Sequence, residues 1–250
     1  MTEKKAPPTS ARKSPRKKAA VVQDPPLRRM VRFAARWALR GVAAVAGFFL
    51  LLVLIYSFIN PPTGIYQMSE SARLGGVKRD WVDWSEIAPV MGRSAVAAED
   101  ANFCLHLGFD MAAIRAAAAA GGNRGASTIS QQVVKNVFLW HGRSYLRKAA
   151  EALLTPVVEL LWSKQRILEV YLNIAEFGEG VFGVEAAAQE FFGVPAAKLS
   201  ATQAARLAAV LPNPKERSAE NPGPATRRRA AQIASGAETI LADGRAACFE

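Results

Sequence analysis

The sequence contains little cysteine. Cys104 and Cys248 are the only two cysteines among 250 residues, which is too few for the disulfide framework of a small secreted domain. One bond between them is possible in an oxidising compartment, and the sequence leaves its formation open. Internal repeats are absent, and stretches that alternate between polar and apolar residues are rarer than periodic alanine-rich ones. These absences favour a single, mainly helical domain over a repeat array or a sheet protein.

Ionisable residues are missing from the run GVAAVAGFFLLLVLIYSFI at residues 41–59. About twenty residues at ~1.5 Å each span a hydrocarbon layer of about 30 Å, so we predict a transmembrane anchor over residues 41–60. Twelve Lys or Arg precede the run, against only Glu3 and Asp24, and the positive-inside rule therefore predicts a cytoplasmic N-terminus. The long basic arm and the lack of a convincing cleavage site before Pro61 disfavour the alternative, a cleaved signal peptide.

Most of the excess positive charge lies in that arm. Twelve cations and two acidic residues give residues 1–40 a charge of +10, out of a formal net charge of +11 for the chain. Binding of nucleic acid would need a basic folded surface and a recognition motif, and neither occurs, so no nucleic-acid partner is expected. The composition of KKAPPTSARKSPRKK predicts a disordered cytoplasmic arm over residues 1–40, beside anionic lipid.

Residues 61–250 are enough for one helical domain with a core. Two pairs of residues fit a capping box, in which each side chain bonds the backbone of the other. The pairs are Thr128 with Gln131 and Ser200 with Gln203. Both pairs predict helix starts, the second helix ending before Pro212. Gly193 predicts the end of a helix through VEAAAQEFF.

Proline also predicts a disruption within this domain. Pro156 lies inside the helical pattern of residues 145–163. Because proline lacks a backbone N–H and crowds the preceding turn, we predict that it bends or splits the segment.

The helix after Thr128 has an unusual polar face. At about 100° per residue, polar and apolar residues separate onto opposite halves. The polar half carries two glutamines, one asparagine and one cation, rather than the Glu and Lys common on solvated surfaces. Solvent contact is the simple interpretation, and ligand contact is the alternative. The polar residues are Gln131, Gln132, Lys135 and Asn136, opposite Val133, Val134, Val137 and Phe138.

Two clusters of ionisable residues are candidates for chemistry. In VAAEDANFCLHLGFD, Glu99 and Asp100 end an alanine-rich stretch, and a carboxylate among apolar residues has the raised proton affinity of a general base. A solvated acidic pair is the plainer alternative. In RKAAEALL, Arg147, Lys148 and Glu151 share one helix face. They form either an intrahelical ion pair or a site for phosphate and a divalent cation.

Five segments in order, EDANFCLHLGFD, GASTISQQVVKNVFLW, RKAAEALL, SKQRILEVYLNIAEFGEGVFGVEAAAQEFFG and LAAVLPNP, resemble the monofunctional peptidoglycan glycosyltransferases of glycosyltransferase family 51. The resemblance covers about residues 70–215. It implies a mainly α, lysozyme-like domain, an inverting transferase that polymerises lipid II into β-1,4 glycan and releases undecaprenyl pyrophosphate. The implied partners are lipid II, the growing lipid-linked glycan, the membrane, and division or elongation proteins. The implied location is the inner membrane, with the catalytic domain in the periplasm.

The resemblance also implies roles for single residues. Glu99 matches the base that deprotonates the acceptor 4-hydroxyl, and Glu151 matches the glutamate that acts at the pyrophosphate, directly or through Mg²⁺ or Mn²⁺. The implied substrate-binding residues are Asp100, Phe103, His106, Ser127, Thr128, Gln131, Gln132, Lys135, Asn136, Arg147 and Lys148.

Two other functions are considered. A lytic transglycosylase or lysozyme shares the fold and a catalytic glutamate, but it would have no use for cations that suit a pyrophosphate. A non-catalytic membrane scaffold of a cell-wall complex would tolerate loss of both glutamates. Pyrophosphate leaves as a stable anion, so a transferase needs one base and an anion site, whereas a glycosidase also needs a general acid.

Overall fold

A computed structural model describes residues 26–121, 125–142 and 144–250. The chain divides into two compact units, Met1–Ala46 and Gly47–Glu250. Helix α1 (Pro26–Tyr56) begins in the first unit and ends in the second.

Helix α1 contains the one stretch of the described residues, Leu27–Tyr56, that is long and apolar enough to cross a membrane. It extends well upstream of the predicted span. The prediction of disorder for residues 1–40 is therefore wrong for residues 26–40, which are helical; residues 1–25 lie outside the described part. Residues 26–40 are rich in Ala, Leu and Arg, which are strong helix formers. The uncharged run identified only the apolar part of α1, because a helix can continue through charged residues.

The second unit is mainly helical, as predicted. In the described residues, its further helices are α2 (Ile65–Leu74), α3 (Pro89–Glu99), α4 (Met111–Ala119), α5 (Ile129–Phe138), α6 (Tyr145–Leu161), α7 (Lys164–Ile174), α8 (Val184–Phe192), α9 (Ala201–Val210) and α10 (Pro224–Ala242). Short 3₁₀ turns lie at Trp84–Glu86, Phe103–Leu105 and Ala196–Lys198.

Local signals located several helix ends correctly. Capping boxes start α5 at Thr128 and α9 at Ser200, and Gly193, with a φ of 64°, closes α8 in the left-handed conformation that glycine adopts without strain. Helix α6 continues through Pro156, so the segment is not split.

A small sheet was not expected. Its strands are β1 (Lys78–Arg79), β2 (Glu176–Gly178) and β3 (Val181–Phe182), where β3 pairs in parallel with β1 and antiparallel with β2. Strands of two or three residues are too short to show a period-two pattern.

Two groups of helices position the polar residues. Helix α7 is largely buried and packs against α5, while α3 packs against α9 and α10. As a consequence, the C-terminal end of α3, where Glu99 lies, comes close to residues of α5 and α10.

The cysteines are bonded. The Cys104–Cys248 disulfide joins the 3₁₀ turn after α3 to the C-terminal end of the chain, with 5.7 Å between the Cα atoms.

Candidate active site

A cleft of about 790 Å³ opens beside the end of α3. It is lined by residues far apart in sequence: Ala98, Glu99, Gly125, Ser127, Gln132, Lys135, Leu211, Pro212 and Arg229. Helix α3 supplies the carboxylate, α5 supplies an amide and an amine, and α10 supplies a guanidinium.

Glu99 is the acidic group of this cleft. Its side chain is only 14% exposed, and burial raises the pKa of Glu99, since a carboxylate loses solvation there. Three neighbours oppose the shift. Gln132 Nε2 donates to Glu99 Oε2 at 3.0 Å, Arg229 Nη2 lies 3.7 Å from Glu99 Oε1, and the charge of Arg217 contributes less. A carboxylate with a raised pKa in an open cleft can accept a proton from a bound hydroxyl.

Sequence reasoning missed Arg229. It lies on α10, within a run of three arginines that is typical of a solvated helix face. Only the packing of α10 against α3 brings the guanidinium to Glu99, where Nη2 also donates to Ala98 O at 3.2 Å. No local spacing signals this contact.

A cationic cluster lies on α6. Arg147 Nη1 bonds Glu151 Oε2 at 2.5 Å, and Lys148 Nζ bonds Glu151 Oε1, so the three residues share a face as predicted. Lys148 Nζ also donates to Ser127 Oγ at 3.4 Å. Because Ser127 lines the cleft beside Glu99, both glutamates belong to one connected region.

Lys135 lies between them. Burial lowers the pKa of Lys135, and the charge of Glu151, with a smaller contribution from Glu99, opposes that shift. In the part of the chain that the structure describes, its amine has no hydrogen-bond or ion-pair partner. A half-buried, unpaired cation at the wall of a cleft is suited to bind an anionic ligand.

Three of the expected substrate-binding residues form a closed hydrogen-bonded ring. Asp100 Oδ2 accepts from Ile129 N at 3.0 Å, and Asp100 Oδ1 pairs with His106 Nε2 at 2.8 Å. His106 Nδ1 accepts from Gly108 N at 3.2 Å, so the His106 proton lies on Nε2. Thr128 Oγ1 donates to Gly108 O at 2.7 Å and completes the ring. The ring fixes the start of α5 against the loop after Glu99.

Two others face the interior. Gln131 is buried, and its Oε1 accepts from Thr128 N at 3.1 Å as part of the helix cap. Phe103 is fully buried, and Lys164 Nζ lies 4.3 Å from the centre of its ring. The structure gives these residues capping and packing roles, and their contact with substrate stays a prediction.

The remaining candidates face open space. Asn136 borders a second pocket of about 170 Å³, together with Gln132 and Lys135, and its Oδ1 bonds His141 Nε2 at 2.9 Å. Arg147 and Lys148 border a recess of about 360 Å³ at the start of α6. Ser127, Gln132 and Lys135 line the main cleft.

The residues present do not fit a resident metal ion. The described part of the chain contains no group of three or more His, Cys, Asp or Glu side chains able to hold one. Both oxygens of Glu151 already accept bonds from cations, whereas Mg²⁺ requires six oxygen ligands in near-octahedral geometry.

Exposed leucines lie on the outer side of α6. Leu146, Leu153 and Leu160 are 72%, 76% and 84% exposed. Their spacing of seven residues puts them on one face of the helix. An apolar stripe of this kind suits contact with another apolar surface.

Comparison with known proteins identifies the family. Residues 67–237 match the family model described as Transglycosylase. Proteins named biosynthetic peptidoglycan transglycosylase are similar over most of the chain: that of Jannaschia sp. (strain CCS1) is 61% identical over 214 residues, or 86% of this chain and 90% of the relative. That of Cronobacter sakazakii is 50% identical over 205 residues, covering 78% and 85%, and that of Caulobacter vibrioides is 44% identical over 200 residues, covering 78% and 87%. The chain belongs to the transglycosylase family of peptidoglycan glycosyltransferases.

Proposed function

We propose that this enzyme polymerises lipid II into β-1,4 glycan strands, with Glu99 as the general base. One observation carries the assignment of the base: a half-buried carboxylate with a raised pKa borders the cleft that also contains the unpaired amine of Lys135. The relatives named biosynthetic peptidoglycan transglycosylase support the substrate class.

In the proposed reaction, Glu99 accepts the proton of the 4-hydroxyl of the acceptor sugar. The resulting oxygen nucleophile attacks the anomeric carbon of the growing chain. The new C1–O4 bond forms while the bond from C1 to the pyrophosphate oxygen breaks, and the configuration inverts. The leaving group keeps both electrons of the broken bond and departs as undecaprenyl pyrophosphate without a proton, so no general acid is required.

Cations stabilise that leaving group. Lys135 contributes an unpaired amine, while Glu151 holds Arg147 and Lys148 at the start of α6. The N-terminus of α6 adds the partial positive charge of a helix dipole, which favours a phosphate. Charge that develops on the pyrophosphate oxygens is thus met by groups already in position.

A divalent cation would bind only together with the phosphates of the substrate. Mg²⁺ commonly binds through substrate phosphates and one or two carboxylates. By the resemblance, Glu151 would be the carboxylate for Mg²⁺ or Mn²⁺, and it would have to exchange a contact with Arg147 or Lys148 for the metal. The metal would polarise the phosphoryl oxygens when bound. The steps above do not depend on it, since the protein supplies three cations.

The proposed location is the inner membrane, with a cytoplasmic N-terminus and a periplasmic domain. The apolar helix, the basic residues before it and the disulfide, which persists in oxidising compartments, support this orientation. The leucine stripe of α6 suits a position near lipid, where both substrates have their prenyl tails. Contact with division or elongation proteins is proposed from the resemblance alone.

The test uses full-length protein in detergent with labelled lipid II. We expect high-molecular-weight product that lysozyme digests. Incubation with purified sacculi distinguishes glycan synthesis from glycan cleavage. Release of soluble muropeptides would support the lytic alternative and contradict the proposed synthesis. Complementation by a double Gln variant of Glu99 and Glu151 would favour the scaffold alternative.

A further inference from the structure

Residues 243–249 close on the loop that follows Glu99, the proposed base at the end of α3. Residues 243–249 lie beyond the family match, which ends at residue 237. Cys248 is bonded to Cys104, and Arg245 Nη1 donates to Ala101 O at 2.8 Å. Ala101 is two residues after Glu99, so both links reach the same short loop.

The end of the chain is also part of the core. Phe249 is 1% exposed, and its ring centre lies 6.4 Å from that of Phe103 and 6.3 Å from that of Trp84. Gln165 Nε2 donates to Phe249 O at 3.2 Å. The segment therefore packs against the side of the loop that is turned to the interior.

The loop held in this way contains the hydrogen-bonded ring. Cys104 lies between Asp100 and His106, which bond each other at 2.8 Å, and Asp100 also bonds the start of α5. Glu99 precedes the ring directly and is bonded by Gln132 of α5. Loosening the turn at Cys104 would therefore alter where the base lies relative to the cations of the cleft.

We propose that residues 243–249 are a positioning element for Glu99, and that the Cys104–Cys248 disulfide makes glycan polymerisation depend on the oxidised state of the protein. The segment does not contact substrate; it acts through the loop. Reduction by a dithiol such as dithiothreitol cleaves the S–S bond to two thiols, while the reagent is oxidised to its cyclic disulfide. This inference rests on the proposed function.

The test compares oxidised and dithiothreitol-reduced full-length protein with labelled lipid II. We expect kcat to fall about 10-fold on reduction while KM changes less than about 2-fold, since small misplacements of a catalytic group affect mainly the chemical step. Reoxidation should restore the rate. The double variant Cys104→Ser with Cys248→Ser should show the low rate in both conditions, with circular dichroism confirming that it is folded.

Two single variants separate positioning from general stability. Arg245→Ala removes the bond to Ala101 with the disulfide intact, and we expect an intermediate kcat. Glu250→Gln removes the charge that pairs with Arg93 Nη1 of α3 at 2.5 Å, while its amide oxygen can still accept a bond. We expect kcat to stay within about 2-fold of the wild type, because a partly exposed ion pair contributes little.

The outcomes distinguish the two proposals. A folded, reduced protein with unchanged kcat overturns the positioning role. If reduction unfolds the domain, Arg245→Ala decides, and an unchanged kcat in that variant overturns it. Absence of polymer from folded wild-type protein in both redox states contradicts the proposed function instead.

Discussion

The two glutamates of the site have opposite surroundings. Glu99 faces one amide and a guanidinium 3.7 Å away, so burial dominates and raises the pKa of Glu99. Glu151 is also buried, but each of its oxygens contacts a cation. The first carboxylate can therefore take up a proton, whereas the second is committed to holding positive charge. In the proposed mechanism, the same residue type thus serves as a base or holds two cations in place, according to its neighbours.

The largest effect is expected at the base. Glu99→Gln keeps the shape of the side chain and one oxygen acceptor for Gln132, so the fold should persist, but the amide cannot accept the proton. General base catalysis contributes about 10²- to 10⁴-fold, and we expect kcat for lipid II polymerisation to fall by that factor at an unchanged melting temperature. Normal polymerisation by the folded variant would show that Glu99 is not the base.

Removing the charge of Glu151 should have the next largest effect. In Glu151→Gln, Arg147 and Lys148 lose the charge that fixes them, and misplacement of a catalytic group by 1 Å costs about 10²-fold. We expect a loss in kcat of that order and a changed dependence on Mg²⁺, measured as initial rates across a metal titration. Rates equal to wild type at every metal concentration would remove Glu151 from the site.

Substitution of Lys135 tests whether an anionic ligand binds between Glu99 and Glu151. A hydrogen bond to a charged group contributes about 1.5–3 kcal/mol, so Lys135→Ala should weaken binding of a pyrophosphate ligand by about 10- to 100-fold in calorimetry. A neutral glycan fragment should bind nearly as before. Equal weakening of both ligands would indicate a structural role.

The pH dependence of this binding follows from the same amine. Burial lowers the pKa of Lys135, and the neutral amine loses its attraction for an anion. Affinity for the pyrophosphate ligand should therefore decrease on the alkaline side, at a lower pH than for an ordinary lysine. That decrease should be absent from Lys135→Ala.

Local signals predicted much of this site, and tertiary packing determined the rest. The cap at Thr128 and the shared face of Arg147 and Glu151 depend on residues three or four apart, so they follow from the sequence. The burial of Gln131 does not follow, because a helical pattern assigns a face without specifying what covers it. Pairing of cysteines 144 residues apart has no local signal either.

Arg229 is the residue that only the packing of α10 against α3 reveals, and its charge reduces the difference in surroundings between Glu99 and Glu151. Other charges near Glu99 are Arg217 after α9, Asp100 beside it and Lys135 of α5, and the buried hydroxyl of Tyr171 is also close. The positive charge of Arg229 lowers the pKa of Glu99 and partly offsets burial.

The smallest effect is therefore expected for Arg229→Ala, and it is a shift in pH dependence. The acidic limb of kcat/KM reports protonation of the base in the free enzyme. Without the cation the pKa of Glu99 rises further, so the limb should move to higher pH, with less than about a 10-fold loss at neutral pH because the pair is partly exposed. Arg229→Lys should return the acidic limb to the pH at which the wild type shows it. Arg228→Ala, an exposed neighbour on the same helix, is the matched control and should leave it in place. If Arg229→Ala leaves it there too, the guanidinium does not set the proton affinity of Glu99, and burial, Gln132 and the remaining charges do.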